Sequence, residues 1–183
     1  MAATGRRTVE ETYEGVMMKV LEVDPEAKTT WMKGATLLAE KGLLEEVVYC
    51  CDKELALRPD NLSASQLKAF ALNDMGRCEE AIEILDEILA KQADDVHALT
   101  AKGHALLGLQ KWDESIKYFD DALAISPEIK EAQVFKGMAL YFLGKYDEAM
   151  EIEAFKTEFM ERFKTEIDKQ QQEKKEDDSE QDT

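Results

Sequence analysis

The feature that most limits how this chain can fold is a period. Pro25 and Pro59 stand 34 residues apart, and Pro127 lies twice that step beyond Pro59. Leu38, Leu72, Leu106 and Leu140 keep the same step, as do Ala35, Ala69, Gly103 and Gly137. Gly42, Gly76 and Gly144 recur too, with Gln110 in the missing slot, and Leu44, Cys78, Trp112 and Tyr146 form a further row. Val47, Ala81, Ser115 and Ala149 make another. A step of this size is the mark of stacked supersecondary units, none of which can bury its apolar face alone.

Each unit reads as two helices. In the third, Ala98, Leu99, Leu106 and Leu107 give the first helix an apolar stripe. After the turn Gly108 to Lys111, residues Trp112, Ile116, Phe119, Ala122 and Leu123 repeat at helical spacing. Pro127 then stops the second helix, because it has no N–H to donate and its ring clashes with the preceding turn. Gly or Ala at the eighth position of every unit lets the two helices of a pair approach closely. Only three prolines and nine glycines in 183 residues leave little turn chemistry for an all-β protein.

The run Leu99, Gly103, Leu106, Trp112, Phe119, Ala122, Pro127 resembles the tetratricopeptide repeat (TPR), in four units covering about residues 28 to 161. Departures are visible. The aromatic at the fourth position survives only as Trp31, and Ala93 and Glu161 stand in proline slots. The resemblance implies an all-α fold, a right-handed α-solenoid of stacked helical hairpins, with a capping helix before it and a long helix after it. The expected organisation is 1–27 as a tail and capping half-repeat, repeats at 28–61, 62–95 and 96–129, an atypical fourth repeat at 130–169, and a disordered charged tail at 170–183.

Both ends differ from the middle. Thr8 to Glu11 forms a capping box, and Val9, Tyr13, Val16, Met17, Val20 and Leu21 share one face of the helix it opens. At the other end the register slips, for the slots of large residues fall on Glu153 and Lys156. Two extra residues, Glu151 and Ile152, bring Phe155 and Phe159 into those slots, and the stripe continues through Phe163 to Ile167.

Charge narrows the partners. With 23 Lys and Arg against 40 Asp and Glu, the formal charge is −17, which repels nucleic acid and anionic membranes alike. No apolar run reaches the ~18 residues of a membrane span, and the amino-terminal residues lack the apolar stretch of a signal peptide. Three cysteines without a Cys-x-x-Cys pattern point to a reducing, cytoplasmic setting. Cys51 and Cys78 fall in core slots, whereas Cys50 is expected to point away from the core as the reactive thiol.

No catalytic constellation, metal site or cofactor site emerges. Gly137 to Lys145 has six residues between its glycines where a phosphate loop needs four, and Tyr146 replaces the metal-binding hydroxyl. His97 and His104 are seven apart, not the four of a metal-binding pair on a helix. Neither serves a Cys or Ser nucleophile in any recognisable pattern. The glycosylation acceptor pattern at Asn61 to Ser63 is set aside for want of a signal peptide.

The resemblance places the working surface on the inner face of the first helices. Its slots hold Met32, Lys33 and Thr36 in the first unit and Gln66, Leu67, Phe70 and Asn73 in the second. The third contributes His97, Thr100, His104 and Leu107, and the fourth Val134, Phe135, Met138, Tyr141 and Phe142. So dense an apolar surface reads as a binding groove, although the carboxy-terminal helix could instead cover Phe135 and Phe142. Phe70 and Tyr141 are expected to anchor a partner without supporting the fold. The carboxylate clamp by which some TPR domains hold chaperone tails would fall on Met32, Thr36, Leu67, His97 and Ala101. One unit later it would fall on Gln66, Phe70, Ala101, Glu131 and Phe135. Neither frame supplies a cationic pair, which disfavours that partner.

The expected function is therefore non-catalytic: a protein or peptide segment, with basic flanks attracted by the acidic rims, held in the groove. The alternative is an oligomerisation scaffold pairing two copies through Phe155, Phe159, Phe163 and Ile167. Helical-repeat RNA binding needs a cationic surface that this chain lacks.

Overall fold

The computed structural model describes residues 31–162, and the expected amino-terminal helix, Phe163, Ile167 and the charged tail lie outside them. All regular structure within that range is helical. The first pair is α1 (Trp31–Ala39) and α2 (Leu44–Leu57), the second α3 (Leu62–Asp74) and α4 (Cys78–Lys91), the third α5 (Val96–Gly108) and α6 (Trp112–Ile125). The fourth is α7 (Lys130–Phe142) with a short α8 (Tyr146–Glu151), followed by α9 over residues 153–162. Each helix packs on its sequence neighbours, and α3, α5 and α7 also touch one another in turn. The first helices thus stand side by side and form one continuous face. Among the described residues no helix is long and apolar enough to cross a membrane.

One turn geometry closes every pair. After α5, Gln110 N–H donates to the Leu107 carbonyl at 3.0 Å and Lys111 N–H to the Leu106 carbonyl at 2.9 Å. These two bonds satisfy carbonyls that a helix end leaves orphaned, and they require a left-handed residue between them. Gly42, Gly76 and Gly144 take that conformation without strain, and Gln110 is forced into it at φ 60°. Between pairs the chain turns extended. Arg58 and Ser126 sit at φ −138° and −133° before Pro59 and Pro127, as the residue before proline must. Gln92 adopts φ −138° before Ala93, so the link keeps its shape where the proline is missing. Asn61 and Asp95 cap α3 and α5 through side-chain oxygens on the N–H groups of Ala64 and Ala98.

In the third and fourth units a small residue faces a larger one. Gly103 lies against Phe119, so closely that an added Cβ would sit 2.5 Å from the ring. Phe119 is fully buried, a contribution of about 2–3 kcal/mol. Gly137 faces Phe155 in the same manner. Phe155 thus fills the slot that the register shift assigned to it. The two extra residues are absorbed by a break rather than by one continuous helix. Ile152 turns to φ −80°, ψ 103°, ending α8, and its carbonyl accepts from Lys156 N–H at 2.9 Å as α9 begins.

Cys50 is a correction. It is fully buried beside Val47, Cys51 and Leu72 and is not an accessible thiol. Burial pushes the Cys51 thiol up to about 12 and raises that of Cys78 as well, so neither is poised as a thiolate. Glu54 is the one fully buried carboxylate among the described residues, accepting from Arg58 and from Asn61 Nδ2 at 2.8 Å.

Candidate functional site

The face built by α3, α5 and α7 carries a cavity of about 530 Å³. Of the expected groove residues, Gln66, Leu67, Phe70, Asn73, His97, Thr100, His104 and Phe135 line it, joined by Asp74, Ala101 and Glu131. Helical spacing explains the grouping, because residues three and four apart share a face. Phe70 is 49% exposed. Opposite it the His104 imidazole stacks on the Phe135 ring at 4.3 Å, with the planes 8° apart. Phe135 in turn rests 6.0 Å from the core ring of Phe119. Burial pulls the His104 pKa down, opposed only by the Asp74 carboxylate, so the imidazole is neutral at neutral pH.

Polar contacts sort the remaining lining residues. Gln66 Nε2 donates to Asp95 Oδ2 at 2.8 Å and ties α3 to the start of α5. Thr100 is buried, its hydroxyl donating to the Val96 carbonyl at 2.8 Å. Asn73, 8% exposed, donates from Nδ2 to the Ala101 carbonyl at 2.9 Å. Its Oδ1 accepts nothing from any described residue. His97 is exposed at the rim. Among the described residues, no group of three His, Cys, Asp or Glu side chains is arranged to hold a metal ion.

A second cavity of about 350 Å³ lies between α7 and α9. Val134, Met138, Tyr141 and Phe142 line it from α7, and Phe155, Glu158, Phe159 and Arg162 from α9. The carboxy-terminal helix therefore covers the Met138 and Tyr141 side. Phe135 lies under His104, and Phe142, stacked on Trp112 at 4.8 Å, stays 54% exposed.

Two expectations are corrected here. Leu107 is 8% exposed and belongs to the cluster of Leu99, Phe119 and Ala122, because its side chain turns between the helices and away from the groove. Tyr141 is not a free anchor. Its ring lies 5.4 Å from Phe159, 4.9 Å from Tyr146 and 6.3 Å from Phe155, so its removal would loosen the end of the array. Met32, Lys33 and Thr36 on α1 line neither cavity, and the Thr36 hydroxyl donates to the Met32 carbonyl.

Reading charge by position misses an arrangement outside the groove. Lys68 reaches Asp52 at 2.6 Å, Lys136 reaches Asp120 at 2.6 Å, and Lys102 pairs with Asp86. Each bond joins the second helix of one pair to the first helix of the next. A signal for it is present, since both the lysines and the aspartates recur every 34 residues.

Comparison with known proteins agrees with this architecture. Residues 39–148 match the model of the family described as Psidin, N-terminal TPR repeats region. No curated protein matches. Among solved structures, MamA 41-end from Desulfovibrio magneticus RS-1 aligns with a TM-score of 0.62 at 21% identity, covering 88% of this chain and 98% of that one. A crystal structure of MamA gives 0.61 at 21%, with 87% and 91% covered. A thermophilic TPR protein of Thermus thermophilus gives 0.63 at 15%, with 67% and 69% covered. At these identities the likeness is one of fold.

Proposed function

This chain belongs to the family of the Psidin N-terminal TPR repeats region, and from that premise we propose that it is a non-catalytic interaction module holding a partner segment in its groove. The observation that carries the reading is the half-exposed Phe70 facing the His104–Phe135 stack across an open cavity of about 530 Å³. A preformed site that joins aromatic walls to polar groups suits the anchor residue of a peptide, and the aromatic walls supply much of the binding energy when a partner desolvates them. The acidic body favours a segment with basic flanks, chiefly by accelerating encounter. The setting proposed for this activity is the cytoplasm, in keeping with three buried cysteines that form no disulfide.

The test is calorimetric titration of Phe70→Ala against a partner captured by the wild-type protein, beside its melting temperature. Binding is expected to weaken at least tenfold, about 1.4 kcal/mol, with melting almost unchanged because the ring is half in water. Normal binding by this variant would remove the cavity from consideration.

The self-association reading is weakened at the first two residues of its stripe. Phe155 is 4% exposed and packed on Gly137, and Phe159 leans on Tyr141, so both serve the chain's own fold. Light scattering over a dilution series is expected to give a constant monomer mass, and a mass that rises with concentration would revive the scaffold.

A further inference from the structure

We propose that the central cavity takes up one cationic side chain, a lysine or an arginine, from the partner segment; this deepens the groove function above and rests on it. The ionised groups lining the cavity are Asp74 and Glu131, and among the described residues no Lys or Arg lines it. That imbalance has a structural origin. The first-helix lysines Lys68, Lys102 and Lys136 are drawn to aspartates on the preceding second helices and neutralise charge there. The Gln66 amide on α3 is already held by Asp95. Burial keeps His104 uncharged at neutral pH, so it does not compete.

A second observation points the same way. Asn73 lines the cavity, is more than nine-tenths buried, and has committed its amide N–H to Ala101. The orientation of that bond leaves Oδ1 as an acceptor with no donor in any described residue. A buried acceptor without a donor is costly, and it marks where a ligand N–H would be welcome. The walls fit the rest of such a side chain. Leu67 can cover the alkyl stem, and the half-exposed ring of Phe70 attracts a cation.

The experiment is selection of random displayed peptides on the full chain, followed by titration of the winners against variants. Peptides are expected to carry Lys or Arg at a fixed distance from an apolar residue, and which of the two dominates tells ammonium from guanidinium. They should need Phe70, and the paired change Asp74→Asn with Glu131→Gln should weaken them at least tenfold. Removing two charges from the outer helices, Glu83→Gln with Asp121→Asn, should change binding less than twofold. Winners that need Phe70 but carry no cation, or that ignore the loss of Asp74 and Glu131, would overturn the inference and leave the groove reading standing. Winners indifferent to Phe70 would overturn both.

Discussion

The second and third helix pairs hold their helices together by the same contact with the volume divided differently. In the second, Ala69 meets the slot of Leu85; in the third, Gly103 meets Phe119. Ala with Leu and Gly with Phe fill comparable space, so what stays constant is the pair and neither residue alone. The division matters for the groove. The ring of Phe119 supports Phe135, and Phe135 carries His104. The aromatic side of the cavity is built on the Gly–Phe half of the array, and the aliphatic half offers no equivalent stack.

The harshest way to break this comparison is to give Gly103 a side chain. Gly103→Leu drives carbon into a ring that is fully buried and cannot yield, with an expected loss of about 3 kcal/mol. The sharper form converts the third pair into the second. Gly103→Ala alone should cost about 2 kcal/mol, and Phe119→Leu alone should leave a cavity of similar cost. The double variant should recover at least ~1 kcal/mol of the sum, since the two residues touch. Urea unfolding of the cycle measures the coupling, and strict additivity would show that the pair is no unit.

Much of this is legible in the sequence because it repeats. The helix pairs, the Gly and Ala positions and the two-residue slip that brings Phe155 onto Gly137 all follow from a 34-residue step laid over helical periodicity. What is not legible depends on where a side chain turns once the helices cross. Leu107 and Tyr141 occupy groove slots by position, yet Leu107 points between helices and Tyr141 is claimed by α9, which the register alone does not place. Cys50 departs from expectation for the same reason, since the outer side of α2 is covered by its neighbour. The lysine–aspartate rungs emerge only when charged residues are aligned between units rather than treated as a solvated surface.

A milder change probes the turns. Three of the four pairs close on glycine at positive φ, and the third closes on Gln110. A left-handed side chain costs roughly 1–2 kcal/mol, while glycine loses about 0.5–1 kcal/mol of backbone freedom on folding. Gln110→Gly should therefore stabilise the protein by about 0.5–1 kcal/mol, seen as a raised melting temperature. Gly76→Gln in the second pair should do the reverse. Equal melting for all three proteins would mean that the turn is held by its hydrogen bonds whatever residue occupies it.

The smallest effect expected concerns the rungs, and it sets the two halves against each other once more. In the rung between the second and third pairs, Lys102 is only 13% exposed and its ammonium lies 4.5 Å from the Tyr118 ring centre. In the preceding rung Lys68 is 25% exposed. Both partner aspartates are half in water, so neither bond should exceed the ~0.2–1 kcal/mol of exposed ion pairs. Lys→Met keeps most of the stem and removes the charge, which isolates the electrostatic part from the packing. Lys102→Met should cost about 0.7 kcal/mol and Lys68→Met about 0.3 kcal/mol, the difference reflecting the ring and the drier surroundings. At about 1 M salt, where the screening length falls to ~3 Å, the cost at Lys68 should vanish and part of that at Lys102 should persist, because the ring contact is partly shielded from solvent. Paired urea titrations at low and high salt read both numbers. Equal costs at the two sites, unmoved by salt, would show that these rungs align the units by stem packing and that their charges contribute nothing.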